Sequence, residues 1–269
     1  MKRILALSMV FVIVMASSAF AVEEKHDYEL RTLEAVSESV NTLSTDGVLS
    51  ALNKNYILNH TDPKVVQEYV ATKIDESFKL AKELSGTVEL EEVKNGKAYA
   101  RQVFKLSNGC TLTIEFEEGE DCDTEVLKWV IPHMVMPMAS NGETMWKNYG
   151  NRYFTAKATV SVGLGAGSVM LENHYILSDQ GIDENYGVAS VFEPNTTCSI
   201  TEKGIVITDR SARSVGSSDV NMHANFKVVY KAGGATTTEQ NVKLSTSVGY
   251  VEHNTTAKQI KVKHSWSLS

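Results

Sequence analysis

From Tyr153 to the C-terminus, apolar residues recur at every second position. Phe154, Ala156, Ala158, Val160, Val162, Leu164 and Ala166 alternate with Thr155, Lys157, Thr159 and Ser161. The same spacing runs through Val220, Met222, Ala224, Phe226, Val228 and Tyr230, then Val242, Leu244, Val248 and Tyr250, then Ile260, Val262, Trp266 and Leu268. A strand sends successive side chains to opposite faces, so this period predicts sheets with one apolar and one polar side. An apolar face needs a second layer against it. Several such strands divided by short turn segments predict an antiparallel β-sandwich over residues 151–269.

Upstream, residues 87–117 carry the same period in a smaller block. Ala98, Ala100, Phe104 and Leu106 share one face, and Leu112, Ile114 and Phe116 share another. Asn95-Gly96 and Asn108-Gly109 predict type I′ turns, which need two positive-φ residues. The block reads as a three-stranded β-meander. Residues 22–86 instead show helical spacing. Leu30, Leu33, Val36, Val40 and Leu43 form one stripe, and Val66, Val70, Ile74, Phe78, Ala81 and Leu84 form another. The second helix has Asp62 to cap it, Pro63 for its first turn and Gly86 as its stop. Residues 118–150 have no period and read as a Met-rich irregular linker. The fold class is therefore α+β: a helical N-terminal region and a small β-meander, followed by an antiparallel β-sandwich.

Met1-Lys2-Arg3 precedes the uncharged stretch Ile4 to Phe20, and Ala19-Phe20-Ala21 places small residues before Val22. This three-part pattern predicts a secretory signal peptide over residues 1–21, cleaved after Ala21. The expectation is a secreted, extracellular protein, bacterial by its short charged start. Loss of Lys2 and Arg3 takes the net charge from −7 to −9. That charge is uneven: −11 over residues 22–125 and +2 over 126–269. An acidic chain lacks the basic face that nucleic acid requires. An apolar content of 42% excludes a disordered chain, and three cysteines exclude a disulfide-dense mini-scaffold.

The chemistry-bearing residues are sparse. His133, Met134, Met136 and Met138 are candidate metal ligands, because thioethers and imidazole are soft donors that suit Cu(I). The plain alternative is that these methionines fill irregular packing gaps. Export permits a disulfide, and Cys110 with Cys122 is the candidate pair across an acidic loop, although Cys198 is an equal partner for either. The acidic runs 117–123 and 179–185 resemble Ca²⁺ loops in composition but lack EF-hand spacing. Gly163, Gly165 and Gly167 miss the third glycine and the helix of a nucleotide fingerprint, and read as a strand bend or hairpin apex on the wet face. His174 stands two residues from Glu172 on one strand face, where an acid–base pair can form. His223 falls on a polar face. Neither Gly-x-Ser-x-Gly nor His-Glu-x-x-His occurs. No catalytic residue and no cofactor is assigned.

The expected function is a secreted, non-catalytic extracellular binding or cell-surface interaction protein, with a protein or cell-surface partner and no nucleic acid. The alternative is a membrane-active, pore-forming-like β-protein, because residues 153–177 form an amphipathic hairpin that residues 22–125 would restrain as a pro-region. The third reading is a hydrolase whose site assembles only in three dimensions.

Overall fold

The computed structural model describes residues 59–92, 97–121, 144–232 and 235–269, with Lys25, residues 29–31 and Leu33 upstream. The chain divides into two units, Met1–Val70 and Ala71–Ser269. One helix is described in full, α1 (Pro63–Leu80). Its start follows the sequence signals. Asp62 Oδ1 accepts the Lys64 N–H at 2.8 Å and the Asp62 carbonyl accepts the Val66 N–H. Its end does not. The chain leaves the helix at Leu80, and the residue with positive φ is Glu83 (78°), not Gly86. Gly86 instead lies in a strand against the Trp266 indole. The rest of the predicted N-terminal helix lies outside the described residues, apart from helical residues near Leu33.

Among the described residues thirteen strands follow: β1 (Ser85–Val88), β2 (Glu91–Glu92), β3 (Ala98–Lys105), β4 (Thr111–Glu120), β5 (Thr144–Asn148), β6 (Gly150–Ser161), β7 (Ala166–Ser178), β8 (Gly181–Phe192), β9 (Cys198–Asp209), β10 (Ser211–Ala212), β11 (Val220–Ala232), β12 (Ala235–Asn254) and β13 (Gln259–Leu268). They form two packed antiparallel sheets, a β-sandwich. The seven-stranded sheet runs β10-β8-β7-β6-β4-β3-β2. The six-stranded sheet runs β1-β13-β12-β11-β9, with β5 beside β1 on the same edge of β13. The block at 85–120 is therefore shared. β1 joins one sheet, and β2, β3 and β4 join the other, where β4 pairs with β6.

The Asn108-Gly109 turn closes β3 onto β4, but only Gly109 takes positive φ (79°), so it is not type I′. Asn108 is held in place by its own side chain. Its Oδ1 accepts the Cys110 N–H at 3.2 Å and its Nδ2 donates to Ser77 Oγ on α1 at 2.9 Å. Asn95-Gly96 lies outside the described residues. The glycine cluster is a hairpin apex between β6 and β7, with Gly163 at φ 73°. Gly167 departs from the expectation of a wet face: it is inside, and a Cβ there would meet Ile74 and Ile200 at 3.4 Å.

The apolar stripes fill the space between the sheets. Phe116 and Phe154 stack at 6.0 Å, and Phe116 also meets Trp266. Within this interior sit three charges. Glu118 of β4 is fully buried, with Lys147 Nζ of β5 at 2.6 Å and Arg152 Nε of β6 at 2.5 Å. The Tyr175 hydroxyl donates to Glu118 Oε1 at 3.3 Å and lies 3.2 Å from His264 Nε2. The His264 ring packs 4.4 Å from Phe154. Burial pushes the Glu118 carboxyl up, but Arg152 and Lys147 outweigh it and hold it at about 2. Burial pushes the His264 imidazole down to about 4; the Lys147 and Arg152 charges add to this against Glu118.

Removing one member of a buried ion set leaves the others uncompensated, which costs about 3–5 kcal/mol. Glu118→Ala is therefore expected to lower chemical-denaturation stability by that amount, whereas alanine at exposed Glu120 changes little. Acid acts on the same cluster. His264 binds a proton below 6.5 when unfolded but only near 4 when folded, so its contribution is present above pH 6.5 and lost on falling to 4. Glu118 extends the loss from 4.5 down to about 2. Thermal melts across this range test both, and a His264→Gln variant is expected to gain stability relative to the parent as pH falls from 6.5 to 4.

Candidate binding groove on the seven-stranded sheet

The polar parity of the strands builds a face as regular as the core. On the outside of the seven-stranded sheet, Arg101, Glu115 and Lys157 stand side by side on β3, β4 and β6, with Met170 next on β7. The neighbouring row is Tyr99, Glu117, Thr155 and Glu172. A groove of about 810 Å³ runs over these rows, walled by Thr87 of β1, Glu91 of β2 and Glu89 between them. One glutamine positions that wall. Gln102 Nε2 donates to the Thr87 carbonyl at 2.9 Å, and its Oε1 accepts the Trp266 indole N–H at 2.9 Å. The wall is thus tied through one amide to a buried indole of the opposite sheet.

Two kinds of charge line the groove. Glu117 is engaged: Lys97 Nζ lies 2.7 Å away and the Tyr153 hydroxyl donates to it. Burial alone would raise its pKa, but these partners and Tyr99 bring it below the usual carboxylate range. Burial and the Glu117 bond together push the Tyr153 phenol to about 12. Gly119 makes this arrangement possible, because a Cβ there would stand 2.7 Å from the Tyr153 hydroxyl. By contrast, Arg101, Glu115 and Lys157 make no ion pair within 4.0 Å among the described residues. Their charges remain available beside Tyr99, which is 41% exposed.

His174 and Glu172 meet as the sequence spacing predicts, at 2.7 Å between Nε2 and Oε1. The other imidazole nitrogen faces Asp121 Oδ2 at 2.7 Å, and Tyr186 stacks on the ring at 4.0 Å. Thr155 Oγ1 donates to Glu172 as well. With a carboxylate on each nitrogen and a phenol on its face, His174 braces the sheet surface. His223 is half-buried, and burial with the Lys243 charge lowers its pKa.

The remaining candidates disperse. His133, Met134, Met136 and Met138 lie outside the described residues, as does Cys122. Cys110 carries a free buried thiol, and so does Cys198, whose pKa burial pushes to about 12. The run 179–185 does not converge on a cation: Asp183 is paired with Arg213 at 2.5 Å and Glu184 turns into the interior. No group of three or more His, Cys, Asp or Glu side chains arranged for a metal occurs among the described residues. No protein-family model, curated protein or solved structure matches the chain.

The acidic run at 117–123 is strand as far as Glu120, with Glu118 turned inward onto Lys147 and Arg152, and parity marks this and the other buried polar residues. Glu118 follows Phe116 by two, Arg152 precedes Phe154 by two, and His264 sits between Val262 and Trp266. Glu184 likewise follows Ile182 by two. Both of its carboxylate oxygens are buried without a hydrogen-bond partner among the described residues. Burial raises its pKa to about 8, and Asn173 and the Arg210 charge pull it back only in part. Its sign is opposite to that of Glu118. The contribution of neutral Glu184 is complete below pH 4.5 and lost as pH rises to about 8, at about 1.4 kcal/mol per unit. His264 opposes it up to 6.5, so its effect stands alone between 6.5 and 8. Glu184→Gln is expected to abolish the fall in melting temperature over that upper window and to melt above the parent at pH 8.

Proposed function

We propose that the chain is an exported, non-catalytic binding or cell-surface interaction protein that takes its ligand in the groove of the seven-stranded sheet. The observation that supports this is the row Arg101-Glu115-Lys157, whose charges of both signs make no ion pair within 4.0 Å among the described residues and stand beside the exposed Tyr99 ring. Charges held on a rigid sheet and left without internal partners contribute little to stability, and they suit recognition by complementary charge. A groove with both signs favours a polar ligand that carries both, such as an extended peptide segment with acidic and basic side chains. The aromatic ring adds a stacking surface of the kind enriched at interfaces. The signal sequence at residues 1–21 would bring this face to the outside of the cell.

The test uses the mature protein, from Val22 onward, as bait against cell-wall and culture-medium proteins of its host. A specific partner is expected at low salt, weakening as salt is raised. Arg101→Gln with Lys157→Gln is expected to reduce its retention about tenfold or more, with little change in melting temperature because neither side chain makes an ion pair within 4.0 Å among the described residues. Retention of nothing, or equal retention by the variant, would remove the proposal.

A further inference from the structure

We propose that the groove anchors its ligand by one apolar side chain seated in a slot behind β3, between the two sheets. The ligand is then an extended peptide with an apolar residue between charged ones. The inference rests on the groove being the ligand site and adds what the ligand must carry.

The slot follows from the way β3 is covered. Ala98, Ala100, Gln102 and Phe104 are its inward residues, opposite Glu118, Phe116, Ile114 and Leu112 of β4. Those four on β4 are at most 1% exposed. Ala98 is buried too, but Ala100, Gln102 and Phe104 are only half-buried. The sandwich is therefore closed over β4 and opens over β3, beside the two-residue edge strand β2. The groove enters at this opening. Its lining includes the consecutive residues Tyr99, Ala100, Arg101 and Gln102, with Phe116 behind them. Successive side chains of a strand point to opposite faces, so a cavity lined by four in a row wraps round β3 from the outer face to the inner.

The two faces offer different chemistry. On the inner side Ala100 contributes a methyl and Phe116 a ring. Gln102 is the polar member there, and each end of its amide has a partner: Nε2 donates to the Thr87 carbonyl and Oε1 accepts the Trp266 indole N–H. A charged group placed in the slot would lose its water for little in exchange, whereas an apolar group gains by leaving water. On the outer side Arg101, Glu115 and Lys157 favour complementary charges. An extended peptide meets both demands, because an apolar side chain can enter the slot while its charged neighbours point away from it over the row. A volume of about 810 Å³ suits this, since ligand sites of about 300–1,000 Å³ pair apolar linings with a few orienting polar groups. The Gln102 bonds hold the wall in place before the ligand arrives, which lowers the ordering cost of binding.

Calorimetric titration of the mature protein with three acetylated, amidated six-residue peptides tests this. The first carries phenylalanine between glutamate and lysine. The second has alanine for the phenylalanine, and the third keeps the phenylalanine but has serine for both charges. The first is expected to bind about tenfold or more tighter than the second, and tighter than the third. Ala100→Leu fills the slot and is expected to bring the affinity for the first peptide down to that for the second. Equal affinity of the parent protein for the first and second peptides would overturn the slot, whether or not Ala100→Leu folds. So would a folded Ala100→Leu variant that binds the first peptide as the parent does. Equal affinity for the first and third would overturn the charged neighbours. If the first and second bind equally and Arg101→Gln with Lys157→Gln still weakens both, the slot alone falls and the groove remains the ligand site. Failure of the first peptide to bind also removes the slot, and capture of a partner by the bait then decides separately whether the groove binds.

Discussion

The register at the corner between the two sheets depends on one ion set, Glu118 with Lys147 and Arg152. The three residues come from three strands in two sheets, and they meet where the chain crosses between those sheets. β5 is the first strand described after residue 143 and belongs to the six-stranded sheet. Two residues after it ends, Gly150 at φ 140° begins β6 in the other sheet. Lys147 and Arg152 therefore flank the corner, and both reach the same carboxylate. A slip of β5 or β6 by one residue would turn its cation to the opposite face and leave Glu118 buried against a single charge. The set thus specifies the register of the corner more strongly than it adds stability, because an apolar replacement of all three would cost little.

Tyr175 and His264 complete the arrangement as neutral members. The Tyr175 hydroxyl lies between the carboxylate and the imidazole, and the imidazole is kept uncharged by burial beside two cations. A protonated His264 would add a third positive charge to a site with one negative charge. Glu184 follows the same physics with the opposite sign, since it has no cation close enough to hold it ionised and burial therefore keeps it protonated. The interior thus penalises protonation at one place and ionisation at another, which confines maximal stability to mildly acidic pH.

The period-2 alternation was enough to read the sandwich and the faces of β6, β11, β12 and β13, but not β8, β9 or β10. It was also enough to read the start of α1, where Asp62 and Pro63 act locally. It was not enough for the partition of strands between sheets, because β1 and β5 find β13 through contacts more than a hundred residues away. The helix stop at Glu83 was hidden for a related reason. The Glu83 N–H is held by the Leu268 carbonyl at 2.8 Å, a tertiary bond that no local signal announces. The buried charges were visible as polar residues standing in apolar stripes at the right parity. Their partners were not, since parity gives a face and never a neighbour. The groove shows the same limit: Arg101, Glu115 and Lys157 alternate correctly in three separate strands, but only the register of the sheet sets them in one row.

Read across the sheet, those registers divide the outer face into two zones with different chemistry. Over β3, β4 and β6 the rows are charged, and charges of both signs keep an exposed sheet face from packing on a copy of itself without a matching pattern. Over β8 the outer face is uncharged at Val188, Ser190 and Phe192. The two zones are separated by His174, clamped between Glu172 and Asp121 under Tyr186, which fixes the sheet surface at the boundary. The carboxylates on both imidazole nitrogens hold that boundary in one geometry, so the charged row beside it is built on a fixed surface.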